Sequence, residues 1–158
     1  MRSLAVAAVL SLALVQSAAA EGVVACPAFK AAWQASLKRL ALAPSGAAFG
    51  RAAGSEGEKV SGIRGVDATV ICRDGALGHL ELASAGDPQA LEKASVSVLM
   101  AMDKSVSAEA AGTTAAGLRA ESESMKKDAV SSWGPYELTW SVSASDGRAR
   151  FTLDLAEN

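Results

Sequence analysis

Residues 136 to 155 read YELTWSVSASDGRARFTLDL, and their alternation decides the fold class. Tyr136, Leu138, Trp140, Val142 and Ala144 take every second position, with Glu137, Thr139, Ser141 and Ser143 between them. Ala149, Phe151, Leu153 and Leu155 continue the pattern against Arg150, Thr152 and Asp154. A period of two sends successive side chains to opposite faces of a strand, so this stretch predicts two strands sharing one apolar face. Between them, Asp146-Gly147 predicts a type I′ turn, whose positive φ angles suit those residues. That two-residue loop would set Trp140 against Leu153 and Val142 against Phe151.

A second hairpin precedes it. Val66, Ala68, Val70 and Cys72 alternate with polar neighbours, and Ala76 to Ala83 returns. A three-residue loop Arg73-Asp74-Gly75 pairs Ala68 with Leu80 and keeps one face apolar. A two-residue loop at Asp74-Gly75 would instead set His79 beside Val70 and Glu81 beside Ala68, exchanging the faces, so the pattern selects the three-residue loop. In this register Asp67 lies across from Glu81 and Thr69 across from His79. A short strand is expected over 58 to 64.

Helical stripes flank the strands. Phe29, Trp33, Leu37 and Leu40 recur at helical spacing from Pro27 to Ala41, and Pro27 suits a first turn because its missing N–H is not needed there. Asp87-Pro88 opens another helix, with Leu91, Ala94, Val98, Leu99, Met102 and Val106 inward. Leu118, Ser122, Met125 and Ala129 mark a later inner face. Residues 88 to 131 form either two helices or one interrupted at Gly112. The expected fold is α+β in the order α-β-β-β-α-α-β-β, an antiparallel sheet of about five strands with helices on one face. Residues 21 to 158 form one domain, in which 44 to 57 is a Gly/Ala/Ser-rich loop.

Residues 1 to 20, MRSLAVAAVLSLALVQSAAA, carry the marks of a cleaved export signal. Arg2 gives the positive start, Leu4 to Val15 the apolar core, and Ala18-Ala19-Ala20 the small-residue cleavage pattern. Cleavage before Glu21 predicts a periplasmic or secreted protein. Abundant Ala and Gly, with Asn158 the sole Asn, fit GC-rich bacterial coding. After loss of Arg2, fourteen basic side chains face seventeen acidic ones, with no basic stripe, which argues against nucleic acid. No later apolar run approaches membrane-spanning length, which argues against a transmembrane anchor.

Cys26 and Cys72, an even pair in an oxidising compartment, are expected to form a disulfide. Val23-Val24-Ala25-Cys26 also resembles a relaxed lipobox, but Gln16 and Glu21 separate it from the apolar core, so a lipid anchor at Cys26 is disfavoured.

Chemistry has few candidates. His79 is the only histidine. With Glu81 and Asp67 on the same face it offers an N/O set for a metal ion, or simply a solvated strand face. Ile71 and Leu77 beside His79 offer a binding patch, or aliphatics covered by the 44 to 57 loop. Ser55 lacks the strand and helix that a nucleophile elbow needs, and Ser124-x-x-Lys127 lacks its partner motifs. No cofactor is expected. The leading expectation is a small exported non-catalytic protein that binds a macromolecule or envelope component. The alternatives are a metal or hydrolytic site centred on His79, Glu81 and Asp67, and a secreted inhibitor or effector.

Overall fold

The computed structural model describes residues 22–51, 53–84 and 86–156; the expected leader, 1 to 20, lies outside these. The elements are α1 (Cys26–Arg39), β1 (Ala48–Arg51), β2 (Glu58–Ser61), β3 (Asp67–Arg73), β4 (Ala76–Ser84), α2 (Pro88–Met102), α3 (Ala108–Met125), β5 (Ala129–Trp133), β6 (Tyr136–Val142) and β7 (Ala149–Leu155). The α+β class stands, but the sheet has seven strands rather than about five, in the order β1-β2-β3-β4-β7-β6-β5. Every neighbouring pair is antiparallel.

Two strands lie where none was expected. β1 occupies the supposed 44 to 57 loop, and α1 holds it there. Phe49 packs edge-on to Trp33 at 6.0 Å between ring centroids. Gln34 Nε2 donates to the Ala47 carbonyl at 3.0 Å, and Lys30 pairs with Glu58 on β2. β5 occupies what was read as the end of the last helix. Lys126 stops α3 in the left-handed conformation, at φ 51°. The chain then turns back through Gly134, at φ 59°, and Pro135, so that Trp133 pairs with Tyr136.

Residues 88 to 131 thus hold two helices and a strand, and the helix break falls at 103 to 107, not at Gly112. Asp103 accepts from the N–H and hydroxyl of Ser105, and Ser107 caps α3 by accepting from Ala110 N–H at 3.1 Å. These side chains compete locally with helical backbone bonding, whereas one internal Gly costs a helix only about 1 kcal/mol.

Both hairpins keep the expected faces but not the expected registers. Asp74 and Gly75, at φ 52° and 79°, form a two-residue turn of positive φ. A bulge then places Ile71 opposite His79 and Cys72 opposite Leu77, leaving Gly78 as the extra residue. The bulge restores face parity, so Ala68 pairs with Leu82 and Val70 with Leu80. In the last hairpin Trp140 pairs with Phe151 and Val142 with Ala149. The loop is four residues long, closed by Ser143 N–H to Arg148 O at 2.9 Å. Only Gly147 of the Asp146-Gly147 pair has positive φ, so the turn is not type I′. Asp146 serves as a loop acceptor instead. Hydrogen bonds, first from the Ser143 side chain and then from Arg148 N–H, hold its carboxyl below the ordinary carboxylate range.

All three described helices lie on the apolar face. α2 packs on β4 and β7, α3 on β5 and β6, and α1 on α2 and β4. Phe29, Trp33, Leu37, Leu80, Leu82, Leu91, Leu138, Trp140, Phe151 and Leu153 are all 0% exposed in the resulting core.

Candidate functional site on the open sheet face

With the helices on one side, the pleat sends alternate residues to a second face on which no described element packs. Cross-strand register arranges that face in rows. One row runs Ile71, His79, Asp154, Glu137 and Ser132 across β3, β4, β7, β6 and β5. The next runs Lys59, Thr69, Glu81, Thr152, Thr139 and Val130. A third holds Asp67, Ala83, Arg150 and Ser141.

In the first row His79 Nδ1 lies 2.6 Å from Asp154 Oδ1. The His79 side chain is 24% exposed and that of Asp154 is 51%. The carboxylate holds the ring through its Nδ1 side. Glu137 lies beside Asp154 on β6, and Glu81 lies two residues along β4 from His79, so three carboxylates share this part of the face, of which Asp154 contacts the ring. Lys59 shares the row of Glu81, Arg150 lies in the third row, and the Arg73 side chain packs over Gly78 next to His79. The carboxylates therefore concentrate on the β7 and β6 side of His79, with Arg73 and Lys59 toward β3 and β2.

The expected metal set does not converge. Asp67 pairs with Ala83 rather than Glu81, and Arg148 Nη2 reaches it at 3.9 Å. Among the described residues no group of three His, Cys, Asp or Glu side chains is placed to hold a metal ion. The expected aliphatic patch is also split. The Gly78 bulge turns Leu77 inward, where it is 0% exposed, while Ile71 stays on the outer face. Gly57 lies flat against Ile71 and Thr69, so close that a Cβ at 57 would stand 2.9 Å from Thr69 Cγ2. Asp154 escaped the sequence reading because nothing local announces that β7 lies against β4.

Cys26 and Cys72 form the expected disulfide. The Cys26 sulfur is thereby engaged, leaving none for a thioether-linked lipid. No described helix is long and apolar enough to cross a membrane. Val24 and Ala25, just before α1, are stitched to the same end of the sheet. Cys26 N–H donates to Gly75 O and Leu77 N–H to Val24 O, both at 2.9 Å. Val24 N–H donates to the Tyr136 hydroxyl at 3.0 Å.

Burial raises the Tyr136 phenol above its ordinary value of 10.0, against the smaller opposing effect of the Val24 bond. The folded protein therefore holds this proton longer than the unfolded chain. The stability it lends is complete below the ordinary phenol range and declines as pH rises through and above it. Tyr136 is the only tyrosine, so the ultraviolet band of phenolate reports it alone. A titration should give a native midpoint above 10.0 that drops to the ordinary value in denaturant. A native midpoint at or below the ordinary value would contradict the assigned burial.

The fold and face define an antiparallel α+β protein with one helix-covered and one polar sheet surface. No family model, curated protein or solved structure matches this chain.

Proposed function

We propose that this protein is exported and non-catalytic, and that it docks a basic segment of an envelope protein on the open face of its sheet. The observation that carries the reading is the acidic set of Glu137, Asp154 and Glu81 near His79, on a face with no described element over it. Charge on a flat polar surface steers and orients a partner of opposite sign. Export is supported by the leader-like residues 1 to 20 and by a disulfide, a bond that persists mainly in oxidising compartments. The non-catalytic reading is supported by the engagement of both cysteines with each other and by the partial exposure of the His79–Asp154 pair. A carboxylate on Nδ1 is half of a general-base arrangement, but among the described residues no hydroxyl or thiol is hydrogen-bonded to this ring.

The test places a photo-crosslinking residue at Thr152 in the full-length protein in its own cells. Adducts should form there, should fall with added salt, and should be lost in Glu81→Lys with Glu137→Lys. Adducts insensitive to both, or formed equally from Lys127 on the helix side, would overturn the docking face. Intact mass reads the export claim separately: a chain beginning at Glu21 with an oxidised cysteine pair is expected, and full-length reduced protein would refute it.

A further inference from the structure

On the helix side, the last turns of α1 and α2 leave a cleft of about 290 Å³. One turn earlier the indole of Trp33 fills the space between these helices and bonds Ser97 on α2. Beyond it α1 presents only Ala32, Ala35 and Ser36 toward Met100, too little volume to close the gap. The floor is apolar. Val106 and two cations, Arg39 and Lys104, complete the lining, and no acidic side chain contributes.

Two observations point to a ligand. Ser36 is 8% exposed and lines the cleft, yet its hydroxyl makes no hydrogen bond among the described residues. Ser95 and Ser97, buried on α2, both return theirs to helix carbonyls. Arg39 and Lys104, like most basic side chains among the described residues, join no ion pair, so both are available to an anion in the cleft. The carboxyl ends of α1 and α2 bring partial negative charge here, about half a unit each. Two full positive charges exceed it, and the Arg39 guanidinium retains a planar fork of donors suited to a carboxylate.

We infer that this cleft binds an anionic amphiphile, a carboxylate on a short alkyl chain. The head would sit between Arg39, Lys104 and the Ser36 hydroxyl, and the chain on Ala32, Ala35 and Met100. The volume suits roughly ten non-hydrogen atoms, at the small end of ligand sites. A second cleft of about 330 Å³ between α3 and β6 lacks this selectivity, because Glu123 already stands with Lys126 and Lys127 in its lining. The inference is independent of the partner proposed for the sheet face, since purified protein alone tests it.

Octanoate titrated into the protein should give saturable amide shifts confined to the ends of α1 and α2. 1-Octanol, without the charge, and inorganic phosphate, without the chain, should each bind more weakly. Arg39→Gln with Lys104→Gln should weaken octanoate about fivefold to tenfold, the combined effect of two exposed ion pairs. Ala35→Leu, at an exposed position that leaves the core untouched, should fill the cleft and abolish the shifts with both cations in place. Absence of saturable shifts, octanol binding as tightly as octanoate, or indifference to both variants would each overturn the site.

Discussion

Replacing Cys26 and Cys72 together by alanine should lower the unfolding free energy by about 4 kcal/mol. The bridge closes a loop with a sequence separation of 46 residues, and the figure is the chain entropy the unfolded state regains when that loop opens. Against a typical total of about 5 to 15 kcal/mol this is a large share. The structural position explains why little else can compensate. Residues 24 to 26 are held by backbone bonds to Gly75 and Leu77 and by the Tyr136 hydroxyl, and those bonds persist only while the chain stays near the β3–β4 turn. Urea unfolding with and without reductant should reproduce the difference measured for the double variant. Amide exchange at Cys26 and Leu77 should quicken before that of the central strands, since the attachment frays first. A loss below about 1 kcal/mol would show that the reduced unfolded chain already keeps these ends together.

The faces of the sheet were legible because side-chain alternation is a property of single strands. Ala68, Val70, Leu80, Leu82, Leu138, Trp140, Phe151 and Leu153 all point inward as their spacing demanded. Register was less legible, because a shift of two residues preserves every face and the hydrophobic pattern cannot detect it. The two hairpins show this in opposite ways. Asp74-Gly75 takes a tight turn and corrects parity with the Gly78 bulge, while Asp146-Gly147 sits in a four-residue loop. β1 was missed because Ala48–Arg51 has one large apolar residue, Phe49, whose partner Trp33 lies on a helix. β5 was missed because Ala129 continues the α3 stripe at helical spacing. The available signal was Val130 and Trp133 leading into Gly134-Pro135, a β-prone run before a turn. The candidate face was legible in part. His79 and Glu81 were placed on the correct side, but Asp154 and Glu137 join them only through the β4–β7 and β7–β6 pairings. No local pattern encodes the first of these.

Trp33→Ala should be the most damaging single side-chain truncation, at about 3 to 5 kcal/mol, the range for emptying a buried aromatic site. Trp33 is 0% exposed and joins three parts of the fold. It stacks on Phe29 of its own helix at 5.5 Å and meets Phe49 of β1 at 6.0 Å. Its Nε1 donates to Ser97 Oγ on α2 at 2.8 Å. Truncation therefore opens a cavity and also frees the edge strand, so exchange at the amides of β1 should rise more than at β6. Trp140 provides the control that separates packing from hydrogen bonding. It is equally buried, but its indole N–H has no partner among the described residues. Changing Trp33 to Phe removes a hydrogen bond along with some volume, whereas the same change at Trp140 relieves an unpaired buried donor. Trp33→Phe should thus be the costlier of the two by about 1 kcal/mol or more. Ser97→Ala should destabilise by about 1 to 3 kcal/mol, because it strands the Trp33 N–H. That cost should largely vanish in the Trp33→Phe background, where no indole N–H remains to be stranded. Additive losses in this double-mutant cycle would show that the Trp33–Ser97 bond does not couple α1 to α2.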